Sequence, residues 1–330
     1  MSTRYLVTGG AGFIGSHLCE LLVENGCQVV AIDDLSTGRL ENLVALNSTP
    51  NFQFVRETIL NAQVLDRLAS QADIIVHLAA AVGVKLIVED PVHTIETNIM
   101  GSEMVLRTAN RYGCKVLIAS SSEVYGKGSK VPFSEEDDCL IGPTTHNRWA
   151  YATSKAIDEF LGLAYHHQFG LPVVIMRFFN TIGPRQTGRY GMVVPRFVRW
   201  ALQDEPIHVY GDGEQSRCFS DVQDVSSAVA RLAEIPQAVG QVFNIGSQEE
   251  VTILELAQRV IHHTGSSSKV QLLPYDQAYA PGFEDMRRRV PSVKKLHDLI
   301  GYEPQNGLDD SLIRVINWER QHPELEKPGG

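Results

Sequence analysis

A glycine-rich turn at residues 9–15 constrains the fold of this chain more than any other feature. A short apolar strand, residues 4–8, precedes the turn, and a helical pattern follows it and closes at Asn25 and Gly26, a pair typical of a helix end. The next apolar run, residues 28–32, has the character of a buried strand and is followed by Asp33. Strand, glycine turn, helix, strand and acid in this order predict a dinucleotide-binding unit.

The glycines of this turn lack side chains, so a pyrophosphate can approach the backbone at the positive end of the helix. The predicted cofactor contacts in the turn are Gly9, Gly12, Phe13, Ile14 and Gly15. The carboxylate of Asp33 can accept from the ribose hydroxyls and would repel a 2′-phosphate, which favours NAD over NADP. Arg39 keeps the other possibility open, because a guanidinium could meet a phosphate.

Further apolar runs alternate with helical patterns. Strands are predicted at residues 52–55, 74–80, 115–120 and 171–177, and helices at 98–112 and 149–169. Strands separated by helices predict an α/β fold, a doubly wound parallel Rossmann sheet with its ligands at the carboxyl ends of the strands. Leu78, Ala79 and Ala80 follow one such strand and would lie under the cofactor, whereas His77 is expected to be packed rather than catalytic.

After residue 177 the pattern becomes less regular, with a helix predicted at 193–202 and a strand at 207–210. We therefore predict an NAD-binding domain at residues 1–176, to which 221–246 return. A smaller α/β substrate domain would occupy residues 177–330. Residues 186–190 suit a mobile loop, and the tail at 324–330 is expected to fray.

Tyr151 and Lys155 are four residues apart in the predicted helix 149–169, so both side chains can point into one site. An ammonium near a phenol favours the phenolate, which would make Tyr151 an acid/base group near neutral pH. The pattern alone is weak, because such a pair usually lies on a helix surface. The catalytic interpretation of the pair depends on the order of the other motifs along the chain.

Composition excludes several classes of protein. Among 330 residues, the net charge of −10 argues against nucleic acid as a main partner. No apolar run is long enough for a membrane span, and the first residues lead directly into a strand without a signal-peptide pattern. The five cysteines are scattered and odd in number, with no spacing for a metal site. A cytoplasmic protein without a bound metal is expected.

The spacing Gly-x-x-Gly-x-x-Gly, together with Tyr-x-x-x-Lys, resembles the extended short-chain dehydrogenase/reductases that act on nucleotide sugars. The resemblance runs from Thr8 to about Pro304. It implies a homodimer formed through the helix that carries Tyr151 and the helix before it, residues 98–112. The string Ser-Ser-Glu-Val-Tyr-Gly at 121–126 looks like the UDP-glucuronate decarboxylases of this family.

Several site residues follow from the resemblance. Ser121 would share the sugar oxygen with Tyr151, Glu123 would hold the sugar ring or a water, and Asn180 would donate to the diphosphate. Arg217 and Arg185 would pair with the phosphates, although each could instead be a solvated turn residue.

Three adjacent arginines at 287–289 are usually a solvated turn. The decarboxylases, however, carry Arg-x-Pro-(Asp/Ser) here, and Arg289 falls on their active-site arginine, where it would hold a sugar carboxylate.

The resemblance implies NAD-dependent chemistry through a 4-keto intermediate. The expected reaction is decarboxylation of UDP-glucuronate to UDP-xylose or to UDP-4-keto-pentose. A UDP-glucuronate or UDP-glucose 4-epimerase is the alternative enzyme, and a non-catalytic NAD-binding regulatory protein is the alternative of another class. The residues do not choose the nucleotide base, the exact sugar or the fate of the keto product.

Overall fold

The fold was analysed in a computed structural model that describes residues 2–83, 90–188, 192–274 and 286–323. Residues 189–190 of the expected mobile loop and the whole expected frayed tail, 324–330, lie outside the described residues.

The strands and helices alternate along the first half of the chain, as the sequence predicts. The strands are β1 Arg4–Thr8, β2 Gln28–Asp33, β3 Phe52–Arg56, β4 Ile74–His77, β5 Lys115–Ser121, β6 Val173–Phe178, β7 Thr181–Ile182, β8 Ile207–Tyr210, β9 Ser216–Cys218, β10 Ser220–Asp221, β11 Gln241–Ile245, β12 Glu250–Thr252, β13 Val270–Leu273 and β14 Arg288–Arg289. The helices are α1 Phe13–Glu24, α2 Ala62–Ala69, α3 Pro91–Tyr112, α4 Arg148–Phe169, α5 Val193–Leu202, α6 Val222–Glu234, α7 Ile253–Thr264, α8 Lys294–Ile300 and α9 Leu308–Gln321.

Seven strands form one sheet in the order β11-β6-β5-β4-β1-β2-β3, and every neighbouring pair is parallel. The strand order reverses between β1 and β4, so a crevice opens at the carboxyl ends of these strands. The doubly wound parallel α/β fold predicted from the sequence is confirmed.

Alternate strand residues bury against helices on opposite faces of the sheet. Val7 and Val76 belong to a core with α1 and α6, while Leu6 and Ile75 belong to a core with α2 and α3. Strand β11 completes the sheet edge beside β6, and α6 packs beside α1, so residues 221–246 return to the sheet.

A separate apolar core joins α5, α7 and α9 to the short strands β8 and β12. This core lies in the region predicted to bind substrate. Val293, Leu296, Ile300 and Tyr302 instead belong to the core of the large sheet. The chain therefore returns to that sheet a second time around α8, which the apolar pattern did not reveal, and the predicted domain boundaries stay a prediction.

In the described parts of the chain, no helix is both long enough and apolar enough to cross a membrane.

Candidate active site

The glycine turn brings its backbone close to the crevice between β1 and β4. Gly9 has a φ of +70°, and a Cβ there would lie 2.8 Å from the backbone nitrogen of Ala79. A Cβ on Gly15 would lie 2.1 Å from the carbonyl oxygen of Gly9, so only glycine lets α1 start this close to the turn. The helix N-terminus consequently faces the crevice with backbone N–H groups available for a phosphate.

Asp33 stands at the end of β2, on the same side of the crevice. Its carboxylate accepts from the backbone N–H groups of Ala11 at 3.0 Å and Leu35 at 2.8 Å. Burial raises the pKa of Asp33, and these two N–H groups oppose that rise. The carboxylate is thereby fixed at the rim of the cavity, where a ribose hydroxyl can donate to it.

A cavity of about 460 Å³ runs from the glycine turn to the second core. Of the residues predicted to bind cofactor, substrate or reacting atoms, the cavity is lined by Gly9, Gly12, Phe13, Ile14, Gly15, Asp33, Leu78, Ala79, Ala80, Ser121, Glu123, Tyr151, Lys155, Asn180, Arg217 and Arg289. The fold therefore gathers almost the whole predicted set around one space.

Tyr151 and Lys155 lie on the same face of α4 and are both buried at the cavity wall. Ser121 ends β5, so its hydroxyl also lies at the carboxyl edge of the sheet. It accepts from the backbone N–H of Glu123 at 3.2 Å and lowers the pKa of Tyr151 by hydrogen bonding. The Ser121 hydroxyl, the Tyr151 phenol and the Lys155 ammonium thus belong to residues that line the same cavity.

The charge around Tyr151 differs from the expectation. Burial raises the pKa of the phenol above its ordinary value, and the carboxylates of Glu123 and Asp158 raise it further. The Lys155 ammonium lies 3.1 Å from the Asp158 carboxylate, which offsets its charge. The prediction that Lys155 lowers the Tyr151 pKa overlooked this buried partner one turn farther along the helix.

Glu123 is partly buried and lies between the guanidinium groups of two buried arginines. Its Oε1 lies 2.8 Å from a terminal nitrogen of Arg289, and its Oε2 lies 2.6 Å from one of Arg148. Burial alone would raise the pKa of Glu123, but Arg289 and Arg148 outweigh burial and hold it at about 2. The cluster carries one negative and two positive charges, so its excess charge suits an anionic group.

Arg148 was not assigned a role from the sequence. It starts α4 and precedes Tyr151 by three residues, so it shares the cavity-facing side of the helix with Tyr151 and Lys155. Helical spacing was the available signal. What the spacing could not show is that the arginine at the first turn of a helix would be buried against Glu123.

Arg217 and Arg289 come from different parts of the chain but are register partners in the parallel pair β9 and β14. Both side chains are buried and line the cavity. Asn180 lies nearby and donates to the carbonyl oxygen of Cys218 at 3.1 Å. This end of the cavity therefore contains several cationic and amide groups suited to a phosphorylated sugar.

Arg185 lies apart from the residues that line this cavity. Its guanidinium pairs with Glu20 of α1 at 2.6 Å, and it borders a separate small recess together with Arg39, Asn42 and Trp318. The partner on α1 is distant in sequence, which gave no local sign of this placement. Arg39 likewise borders the recess and is not part of the main cavity lining.

The described residues contain no group of three His, Cys, Asp or Glu side chains that could hold a metal ion.

Comparison with known proteins identifies the family of this chain. The profile of the NAD dependent epimerase/dehydratase family matches residues 5–246, which is most of the chain. The chain belongs to this family. The match begins in β1 and ends just after β11, so it spans the whole parallel sheet with its glycine turn and the Tyr151–Lys155 pair.

Relatives within the family include two decarboxylases and a solved epimerase. The chain is 43% identical over 323 residues to UDP-N-acetyl-alpha-D-glucosaminuronate decarboxylase of Bacillus cytotoxicus, covering 97% of this chain and 99% of that protein. It is 37% identical to UDP-glucuronic acid decarboxylase 1 of Arabidopsis thaliana, covering 95% of this chain and 69% of that protein. The structure of UDP-glucuronic acid 4-epimerase from Bacillus cereus in complex with UDP-glucuronic acid and NAD matches with a TM-score of 0.87 and 32% identity, covering 97% and 99% of the two chains.

NAD is the cofactor of this epimerase/dehydratase family member, and the residues present fit it. The narrow glycine turn leaves a cradle that a Cβ at Gly9 or Gly15 would fill. Asp33 is fixed beside the cradle, and Lys155 and Tyr151 line the same cavity.

Proposed function

We propose that this protein is an NAD-dependent decarboxylase of a UDP-linked hexuronate, acting through a 4-keto sugar. The observation that carries the proposal is the buried cluster of Glu123, Arg148 and Arg289 beside Tyr151. A neutral sugar gives no reason to bury two guanidinium groups here, whereas a sugar carboxylate can pair with them. The similarity to two decarboxylases of uronate-type nucleotide sugars supports the same conclusion.

NAD supplies the hydride acceptor for the sugar C4 and the cationic ring that favours a nearby phenolate. Tyr151 removes the proton of the C4 hydroxyl, Ser121 donates to the C4 oxygen, and Lys155 binds the nicotinamide ribose. Once C4 is a ketone, the C6 carboxylate is β to it, so the C5–C6 bond can break and leave its electrons in the enolate. CO2 departs, and one proton is then needed at C5.

Glu123 is an anion at neutral pH because its pKa is held at about 2. It is therefore a group that orients Arg148 and Arg289 or a water, and a poor proton donor by itself. Arg289 and Arg148 hold the carboxylate until neutral CO2 departs and the negative charge passes to the enolate. Arg217 and Asn180 are proposed to contact the diphosphate, and Arg185, paired with Glu20, is a weaker candidate for that role.

The test is incubation with NAD+ and either UDP-glucuronate or UDP-N-acetylglucosaminuronate, followed by mass spectrometry of the sugar nucleotide. The second substrate is included because the 43% identical relative is named for it. Loss of one CO2 from either substrate supports the proposal, and the product mass also shows whether the ketone is re-reduced. A product that keeps every carbon and differs only in the C4 configuration would instead identify a 4-epimerase, as in the Bacillus cereus structure.

Arg287 and Arg289, two residues apart in the sequence, provide a matched pair of variants. Arg289→Leu removes a buried cation, and the loss of such a partner costs about 3 kcal/mol, or roughly 100-fold in decarboxylation rate. Arg287→Leu removes an exposed arginine that pairs with Asp212, and should change the rate by less than about 2-fold. NAD+ binding measured in parallel reports whether each variant is folded. Equal rates for the two variants would contradict the assignment of Arg289.

Tyr151→Phe separates the enzyme from a non-catalytic NAD-binding protein. The phenylalanine keeps the ring but loses the hydroxyl, so NAD+ binding should persist while turnover of the active substrate disappears. Turnover at the wild-type rate would show that another group carries the proton.

We further propose a homodimer formed through α3 and α4. Both helices expose large apolar side chains, among them Met100 and Phe160, and the Phe160 side chain is 76% exposed.

All five cysteines are unpaired, which supports a reducing compartment such as the cytoplasm.

A further inference from the structure

A buried carboxylate, Asp158, lies directly behind the acid/base pair. It follows Lys155 by three residues on α4, and its Oδ2 accepts from the Lys155 ammonium at 3.1 Å. Asp158 is fully buried and Lys155 is 2% exposed. An ion pair shielded from water in this way has a defined geometry, and each partner controls the charge that the other presents to its surroundings.

The carboxylate also faces α3 and the sheet. The hydroxyl of Ser102 on α3 lies beside Asp158 and lowers its pKa, opposing the rise that burial causes. Ser102 Oγ lies 3.1 Å from His77 Nε2, and His77 Nδ1 lies 2.8 Å from Thr8 Oγ1. A polar chain thus runs from Lys155 through Asp158 and Ser102 to the strands under the cofactor site.

His77 adds no charge to this series of polar side chains at neutral pH. Burial and the nearby Lys155 ammonium lower the pKa of His77 to about 3. Asp158 is consequently the group on this side that balances Lys155.

The other charged groups around Tyr151 are balanced separately. Glu159, next to Asp158 on α4, pairs with Arg177 of β6 at 2.8 Å and accepts from Ser120. On the cavity side, Glu123 from the turn after β5 faces Tyr151 together with Arg289 of β14, and Arg148 pairs with Glu123. Among the described residues, the carboxylate that accepts a hydrogen bond from the Lys155 ammonium is that of Asp158.

We propose that Asp158 is a positioning residue that fixes Lys155 and keeps the Tyr151 phenol protonated until NAD+ binds. Because the charge of Lys155 is balanced by Asp158, Lys155 alone does not stabilise the Tyr151 phenolate. The positive charge of the nicotinamide is needed as well. The base needed for the C4 hydroxyl is then formed only where a hydride acceptor is present. The inference rests on the proposed role of Tyr151 but not on the identity of the sugar.

The opposing charges agree with this arrangement. Burial raises the pKa of Tyr151 first, Glu123 adds to the rise, and Asp158 also raises it, while Ser121 and Arg289 act in the other direction. Removing the Asp158 charge should therefore lower the pKa of the phenol.

The experiment measures protons released when NAD+ binds, by titration calorimetry in buffers of different ionisation enthalpy between about pH 6 and about pH 10. No sugar is needed, so the result is independent of whether UDP-glucuronate proves to be the substrate. Wild-type protein should release protons over a defined pH range, and Tyr151→Phe should abolish that release.

Asp158→Asn keeps the shape of the side chain and removes its charge. The midpoint of proton release should move down by at least about 1 pH unit. Asp158→Glu, which restores the charge, should return the midpoint toward that of the wild type. Asp298→Asn, a change at an exposed aspartate of α8, is the matched control and should leave the midpoint unchanged.

Two results would overturn the proposal. One is an unchanged midpoint in a folded Asp158→Asn protein that still binds NAD+, which would leave Asp158 a purely structural residue. The other is undiminished proton release in Tyr151→Phe. Should Asp158→Asn fail to fold, Asp158→Ser removes the same charge with a smaller polar side chain, and the same midpoint shift is required of it.

Discussion

Glu123→Gln tests the electrostatics of the arginine cluster without reference to any substrate. The change removes one negative charge between Arg148 and Arg289 and replaces a titrating group by a similar amide that does not titrate. Both guanidinium groups then face each other's charge in a buried site without their shared anion. Losing one partner from a buried ion pair costs about 3–5 kcal/mol of unfolding free energy.

The pH dependence follows from the Glu123 pKa, about 2 in the folded protein against an ordinary value of 4.5. A difference of this size corresponds to roughly 3 kcal/mol of stability. Because the folded pKa is the lower one, this stabilisation is fully present above the unfolded pKa. It is lost as the pH falls from about 4.5 toward about 2, and linkage places about 1 kcal/mol of the loss above about pH 4.

The measurement is urea unfolding followed by tryptophan fluorescence at about pH 7 and about pH 4. The difference in unfolding free energy between wild type and Glu123→Gln should shrink by about 1 kcal/mol at the lower pH. Glu41→Gln, at an exposed glutamate, serves as the control and should give a difference that does not change with pH. A difference for Glu123→Gln that is equally large at both pH values would refute the clamp of this carboxylate by two arginines.

Two further predictions concern stability and assembly. The Lys115 ammonium donates to the carbonyl oxygens of Leu232, Ala233 and Ile235 at the end of α6, at 3.0, 2.7 and 3.1 Å. Lys115→Met should therefore cost about 2 kcal/mol in urea unfolding, against less than about 0.5 kcal/mol for Lys294→Met at an exposed pair. Phe160→Asp should convert the proposed dimer to a monomer in light scattering, whereas Ile313→Asp on α9 should leave the dimer intact; a dimeric Phe160→Asp protein would place the interface elsewhere.

Local patterns were sufficient for the sheet and the glycine turn. The order of strand, glycine turn, helix and acid predicted β1, α1, β2 and Asp33, because each of these depends on residues near it in sequence. The return of residues 293–302 to the large sheet was not predictable in this way. Its apolar residues fit either core, and only the path of the chain in space decides between them.

The ion pairs of the site were likewise not predictable from the local sequence. Asp158 was visible three residues after Lys155, but an acid on a helix is usually solvated, and nothing local indicated that this one is fully buried. Arg185 pairs with Glu20, which is 165 residues away in sequence. The resemblance to a family supplied Arg289, whereas helical spacing from Tyr151 could have supplied Arg148.

The arginine row at 287–289 shows how structure assigns different roles to adjacent identical residues. In β14, successive side chains point to opposite faces, so Arg288 is exposed while Arg289 is buried at the cavity. The Arg288 guanidinium binds both carboxylate oxygens of Glu250 on β12, at 2.8 and 2.7 Å, and Glu250 also accepts from Ser216 on β9. This clamp joins the outer strands of the three-stranded sheet, in the order β12-β9-β14, across the strand that carries Arg217. Arg288 thereby fixes the strand register that places Arg289 beside Glu123. A change at Arg288 should therefore weaken catalysis by displacing Arg289.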